Sequence, residues 1–188
     1  EPAVPTFMGR EKAQTMTFHG APWLTREKRL KQERPDLLHA ALGLKPGETA
    51  CDIGAGNGYH TLPMARAVAP TGKAVAVDIQ PEMLEMLRER AAVAKLDNIQ
   101  LVLNAQDRSG LEPGTCDTAL MVDVYHEFSD PAAMLRDLRE VLKADDWTRL
   151  DWLAAGGCLK HPLESCFVLT SMSGRFTCDD VQVTECPE

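Results

Sequence analysis

The sequence lacks any apolar run approaching the length of a membrane span, which excludes a spanning helix. Cations are in deficit. Twenty Lys and Arg stand against 28 Asp and Glu, a net charge of −8. Binding to phosphate backbones needs clustered Lys and Arg, so the balance argues against nucleic acid as a partner. No CxxC pair occurs among the six cysteines. Cys51 and Cys116 sit beside expected strands. Cys158, Cys166, Cys178 and Cys186 are spaced by 8, 12 and 8 residues, which does not suit zinc, and no metal is expected. Two disulfides among these four would fit an oxidising compartment, whereas free thiols fit the cytosol and are the preferred reading. There is no initiating Met at Glu1. A fragment or a processed form fits that start; the expected location is the cytoplasm, with an exported, processed form as the alternative.

What is present suits one soluble domain with a sizeable core: 188 residues, 44% hydrophobic and 26% charged. The organising stretch is Thr49–Gly58. A short apolar run carries Asp52 near its end, and Gly54, Gly56 and Gly58 follow at alternate positions. An amphipathic segment, Tyr59 to Ala69, comes next. Strand, tight glycine turn and helix together let a ligand lie against bare backbone at a helix N-terminus.

Upstream, residues 1–34 form a lead-in or lid. Met8 to Met16 suits a short helix, His19 to Leu24 a turn with an exposed Trp23, and the charge run Arg26 to Arg34 a solvated helix face. A helix is expected from Pro35, with Gly43 as its C-terminal cap. Downstream, Ala74–Asp78, Ile99–Leu103 and Thr118–Val124 read as further strands, with helices opening at Pro81 and at Asp130-Pro131. The alternation of strands and helices predicts an α/β fold, a doubly wound and mostly parallel sheet. Ligands of such sheets bind beyond the carboxyl ends of the strands. Asp52–Gly58, Asp78, Asp107 and Tyr125-His126-Glu127 converge there.

The dinucleotide fingerprint G-x-G-x-x-G fails here, because Tyr59 stands where its third glycine belongs. Asp78, 20 residues after Gly58, suits an acid on ribose hydroxyls. Cys51–Gly58, Val75–Ile79, Asp117–Phe128 and Met134–Lys143 together resemble the class I S-adenosylmethionine-dependent methyltransferases. The resemblance covers roughly residues 36–143. Met8 to Trp23 is also similar to the N-terminal segment of a bacterial subgroup of small methyltransferase-domain proteins.

The resemblance implies a Rossmann-like methyltransferase fold with S-adenosyl-L-methionine as cofactor. It implies that Asp52 and the backbone of Gly54, Ala55, Gly56 and Gly58 hold the methionine part. Asp78 would take the ribose hydroxyls, Ile79 would pack on adenine and Asp107 would accept its amino group. The reaction implied is in-line methyl transfer to an unidentified small-molecule acceptor. A base after the fourth strand falls to His126, with Tyr125 beside it, because imidazole titrates near neutrality. Arg10, Glu11, His19 and Trp23 are the lid's candidates for contact with cofactor or acceptor, with packing or solvation as the preferred reading of each alone. Two other functions compete: a cofactor-binding module without catalysis, and a nicotinamide-dependent oxidoreductase, which the glycine spacing disfavours.

The family pattern stops at Ala144. A Pro-Gly-Gly-type turn and a fifth parallel strand are expected after Lys143, and neither occurs. Residues 144–188 therefore read as a divergent or incomplete tail, with Cys166–Thr170 and Val181–Thr184 as strands. The fourth strand is expected to become an exposed edge. The expected divisions are residues 1–34, 35–143 and 144–188.

Overall fold

A computed structural model describes residues 6–7, 10–11, 14–143, 149–153 and 166–170. Two short strands, β1 (Thr6–Phe7) and β2 (Arg10–Glu11), pair antiparallel near the N-terminus. Of the helix expected over Met8–Met16, the described residues form the strand β2 at Arg10–Glu11 and irregular chain at Gln14–Met16 instead. A 3-10 turn (Phe18–Gly20) leads into three short helices: α1 (Ala21–Leu24), α2 (Arg29–Glu33) and α3 (Pro35–Leu42). Helix α3 starts on Pro35 and ends on Gly43 in the left-handed region at φ 59°, as the sequence predicts.

The central sheet begins with β3 (Thr49–Ile53), followed by helix α4 (Thr61–Val68) and strand β4 (Lys73–Asp78). Helix α5 (Pro81–Val93) leads to β5 (Ile99–Leu103); β6 (Thr118–Val122) then precedes α6 (Pro131–Val141). Strands β3, β4, β5 and β6 pair in parallel. Apolar residues alternate between the two faces, as the period of two in a strand requires. Ala50, Ala76 and Leu120 pack against α3, α4 and α5. Ile53, Val75, Val77, Ala119 and Met121 pack on the opposite face, against Met134, Leu138 and Val141 of α6. The fold is the doubly wound Rossmann-like sheet.

Two features on the α6 face were not legible in the sequence. Cys51 and Cys116, both fully buried, are joined by a disulfide across 65 residues, with Cα atoms 5.9 Å apart. Strand β6 also stops at Val122 rather than Val124, because Asp123 turns into the left-handed region at φ 53°.

Beyond Lys143 the sheet continues with β7 (Arg149–Leu153) and β8 (Cys166–Thr170). Strand β8 runs antiparallel to β6, pairing Thr118 with Thr170 and Val122 with Cys166, and β7 pairs antiparallel with β8. The expected strand at Cys166–Thr170 is present. The expected bare edge on β6 is not, because β8 occupies it. Val181–Thr184, Cys158, Cys178 and Cys186 lie outside the described residues. Among the described residues, no helix is long and apolar enough to cross a membrane.

The strand order is β5-β4-β3-β6-β8-β7. From β3 the chain moves outward through β4 and β5, then returns to the other side of β3 as β6. That reversal opens a crevice beyond the carboxyl ends of β3 and β6.

Candidate functional site

A cavity of about 730 Å³ occupies this crevice. Its floor is made by the chain at and just past the end of each strand: Asp52 to Gly56 at β3, Asp78 to Gln80 at β4, Asn104 to Gln106 after β5, and Val122 to Val124 at β6. Its roof is the N-terminal segment from Gln14 through α2. Side chains from several loops hold that roof down. Gln80 accepts from the Phe18 N–H at 2.8 Å and donates to the Met16 carbonyl at 2.9 Å. Glu127 accepts from the Met16 N–H at 3.3 Å, and the Asn57 amide donates to the Ala21 carbonyl at 3.1 Å.

The glycine turn lies between two carboxylates. Asp52, 2% exposed, accepts a 2.6 Å hydrogen bond from the Thr61 hydroxyl. Asp78 accepts from the Gly56 N–H at 2.7 Å through one oxygen and from the Gln80 N–H at 2.9 Å through the other. Gly54 has φ 77°, and a Cβ there would run into the Val124 side chain, so the turn after β3 can lie against the chain after β6 only without one.

Burial dominates the acidity of this wall. It pushes Asp52 up to about 6, against the Thr61 hydrogen bond and the nearby Arg29 charge, which favour ionisation. It raises Asp78 as well, opposed by the N–H groups of Gln80 and Gly56. It lifts Glu127 to about 7, with the Met16 N–H pulling the other way and the charges of Asp78 and Asp123 adding to the rise.

Seven of the expected site residues line the cavity: Asp52, Gly54, Ala55, Gly56, Asp78, Ile79 and His126. Gly58, Tyr125 and Asp107 do not. Gly58 backs the turn against α5. Tyr125 packs edge-on against Phe128 at 6.2 Å, in the cluster under α6. Asp107 sits at the tip of a tight turn that pairs Ala105 with Arg108, and its side chain is 52% exposed. Ser109 anchors that turn to Asp137 of α6 by bonds of 2.8 and 2.5 Å, so Asn104, Ala105 and Gln106 face the cavity instead.

The sequence reading missed other contributors. It weighed His126 over Glu127, although the latter's burial follows from the roof above it. It passed over Asp123, whose left-handed backbone brings it to the cavity. Above all, it placed Arg29 on a solvated helix face, whereas Arg29 is 3% exposed and lines the cavity. Arg29 forms an ion pair with Glu33 one helical turn later, a spacing that a solvated helix face shows equally. Trp23 is half-exposed, as expected, at the rim of the cavity, with the Arg26 guanidinium 3.6 Å above its ring.

Fold and floor together define a ligand-binding domain of the doubly wound class, with paired acids at neighbouring strand ends. A family model described as a methyltransferase domain matches residues 50–145, just over half of the chain, and the chain belongs to that family. It is 35% identical over 103 residues to an uncharacterised 37.1 kDa transposon-encoded protein of Streptomyces fradiae, covering 55% of this chain and 29% of that protein. It is 28% identical over 102 residues to a demethylmenaquinone methyltransferase of Staphylococcus aureus, covering 54% of this chain and 42% of that enzyme. Its aligned part thus spans well under half the length of these relatives. The same fold occurs in a crystal structure of a SAM-dependent methyltransferase from Aquifex aeolicus, with a TM-score of 0.66 at 24% identity over 82% of this chain and 97% of that one.

Proposed function

We propose that the chain binds S-adenosylmethionine in this cavity and directs its methyl group to a small-molecule acceptor. The observation that carries the reading is the pair of carboxylates, Asp52 and Asp78, at the ends of adjacent parallel strands with side-chain-free backbone between them. Each Asp78 oxygen already accepts one backbone N–H and keeps a further lone pair, enough for two neighbouring ribose hydroxyls. Ile79 and Met83 offer apolar surface beside Asp78 for adenine. Asp52 lies deeper, where an ammonium group would hold it ionised. Asp107 is not retained in the adenine role.

When bound, the cofactor supplies a methyl group on a sulfonium, so that a neutral thioether departs and no acid is needed. The chain aligns the acceptor and excludes water with its roof. Glu127 and His126 lie on the 3-10 turn after β6 and line the cavity. Near neutral pH a proton released by an acceptor can pass to the Glu127 carboxylate. An acidic chain with an enclosed site favours a discrete molecule over a nucleic acid as acceptor.

A second reading, binding without transfer, draws support from the antiparallel β8 that flanks β6 where the family has a further parallel strand. Calorimetric titration tests the cofactor: S-adenosylhomocysteine is expected to bind and NAD is not, and the reverse result overturns the reading. A screen of acceptors with a labelled methyl group then separates transfer from binding alone.

A further inference from the structure

Residues 14–20, the part of the roof that precedes α1, are fastened by polar contacts from three directions. Nε2 of Gln106, past β5, donates to the Thr15 hydroxyl at 3.3 Å. Nε2 of Gln80, past β4, donates to the Met16 carbonyl at 2.9 Å, and its Oε1 accepts from the Phe18 N–H at 2.8 Å. Oε1 of Glu127, past β6, accepts from the Met16 N–H at 3.3 Å. Within residues 15–18 the segment thus crosses the ends of three strands. Gln14, Thr15 and Met16 line the cavity along that crossing.

Apolar burial adds little to this fastening. None of residues 14–20 is fully buried, and neither Met16 nor Phe18 belongs to the apolar clusters on the faces of the sheet. Met16 folds back on its own segment, since a Cβ on Gly20 would meet its sulfur at 2.7 Å. Phe18 stacks on His19, with ring centroids 4.1 Å apart. Upstream, β1 and β2 pair with each other and with no described strand of the central sheet. The first firm anchor is Ala21, 3% exposed, whose carbonyl accepts from the Asn57 amide. Hydrogen bonds of this kind exchange for bonds to water at small net cost, whereas buried apolar surface has no such substitute. A segment that has the first and lacks the second opens locally while the sheet stays folded.

Gln80 is central to the fastening. Its side chain bonds the backbone on both sides of Thr17, and its own N–H donates to Asp78 at 2.9 Å, which fixes it to the strand-end acid of the cavity floor. We infer that residues 14–20 are a hinged cover of the cavity, turning where Gly20 meets Ala21 and latched by Gln80. With the cover down, the segment stands over the ends of β5, β4 and β6. With it lifted, a ligand passes. Gln80 acts through the cover and not on reacting atoms, so it is a positioning residue. On the cofactor reading above, a ligand held by Asp78 lies beneath the latch, and lifting of the cover sets the rate of its exchange.

Hydrogen exchange of the whole, ligand-free chain tests the cover without any ligand. The Met16 and Phe18 amides are expected to be roughly 100-fold or more less protected than the paired amides of β3 and β4. Equal protection would overturn the inference. Gln80→Leu keeps much of the bulk and removes both latch bonds. It is expected to speed exchange at Met16 and Phe18 roughly 10-fold further, the worth of one or two hydrogen bonds, with β3 and β4 unaltered. Gln80→Glu keeps an acceptor for the Phe18 N–H and should restore protection there. Loss of protection across the whole sheet in Gln80→Leu, or no change at Met16 and Phe18, would overturn the latch. Stopped-flow mixing with S-adenosylhomocysteine adds the kinetic arm: Gln80→Leu should raise association and dissociation rates together, roughly 10-fold, with Kd nearly unchanged. Faster dissociation alone would assign Gln80 to holding the ligand and overturn the cover. If S-adenosylhomocysteine does not bind, the cofactor reading fails, while exchange in the ligand-free chain still decides the cover.

Discussion

Asp52 shows how one side chain links the stability of the domain to its ligand. Burial holds its carboxyl at about 6, against an ordinary value of 3.8. Between those values the folded chain keeps a proton that the unfolded chain has lost. The stability from this proton is complete below the unfolded value and is lost as pH rises through about 6. At pH 8 the ligand-free protein therefore carries a buried charge costing up to about 3 kcal/mol. Asp52→Asn is expected to raise the melting temperature of the ligand-free protein at pH 8 and to leave it nearly unchanged near pH 4, while abolishing S-adenosylhomocysteine binding. Thermal scans across that range check the sign, and an equal shift at both ends would contradict it. Asp52 and Asp78 were legible in the sequence because each lies at or next to the end of an apolar run that suits a buried parallel strand. Arg29 was not, because a charge run gives no sign of which of its members the roof will turn inward.

Among the elements, the turn between β3 and α4 is the most constrained. Gly58 has φ 83°, and a Cβ there would sit 2.6 Å from Cγ of Leu87, a core residue of α5. Gly58→Ala combines an unfavourable backbone conformation with overpacking and is expected to cost about 1–3 kcal/mol, measurable by denaturant unfolding. A variant as stable as the parent would show that α5 can withdraw from the turn. The glycine spacing was readable from the sequence as evidence against a dinucleotide. Its packing reason was not, since Leu87 lies 29 positions away in the chain. The same limit explains Asp107: position past β5 suggested the site, but the anchoring of Ser109 by Asp137 turned the loop outward.

For the whole molecule, the sheet depends on its antiparallel flank. Strand β6 is an apolar strand with β3 on one side and β8 on the other. Removing residues 144–188 would leave its outer edge unpaired, a template for association with other chains. Hydrogen exchange in such a truncation is expected to accelerate at the amides of Thr118–Val122 facing β8, and light scattering to report aggregation. Unchanged protection at these amides would mean that β8 does not support β6. The sequence reading anticipated a strand at Cys166–Thr170 and also a bare edge on β6. These two expectations conflicted, and the pairing resolves them in favour of the strand.

The sequence by itself determined the alternation of strands and helices, the parallel core, and the two acids and two glycines on the floor of the crevice. These follow from local rules: apolar period, helix caps, and the backbone freedom of glycine. Tertiary structure alone decided that Cys51 meets Cys116, that β8 covers β6, and that Glu127 lies under a roof. It also decided that Arg29 leaves solvent to stand beside Tyr59 and His60. The physical reason is the same in each case. Burial and hydrogen-bond partnership depend on which distant segments are brought together, and no local pattern carries that information.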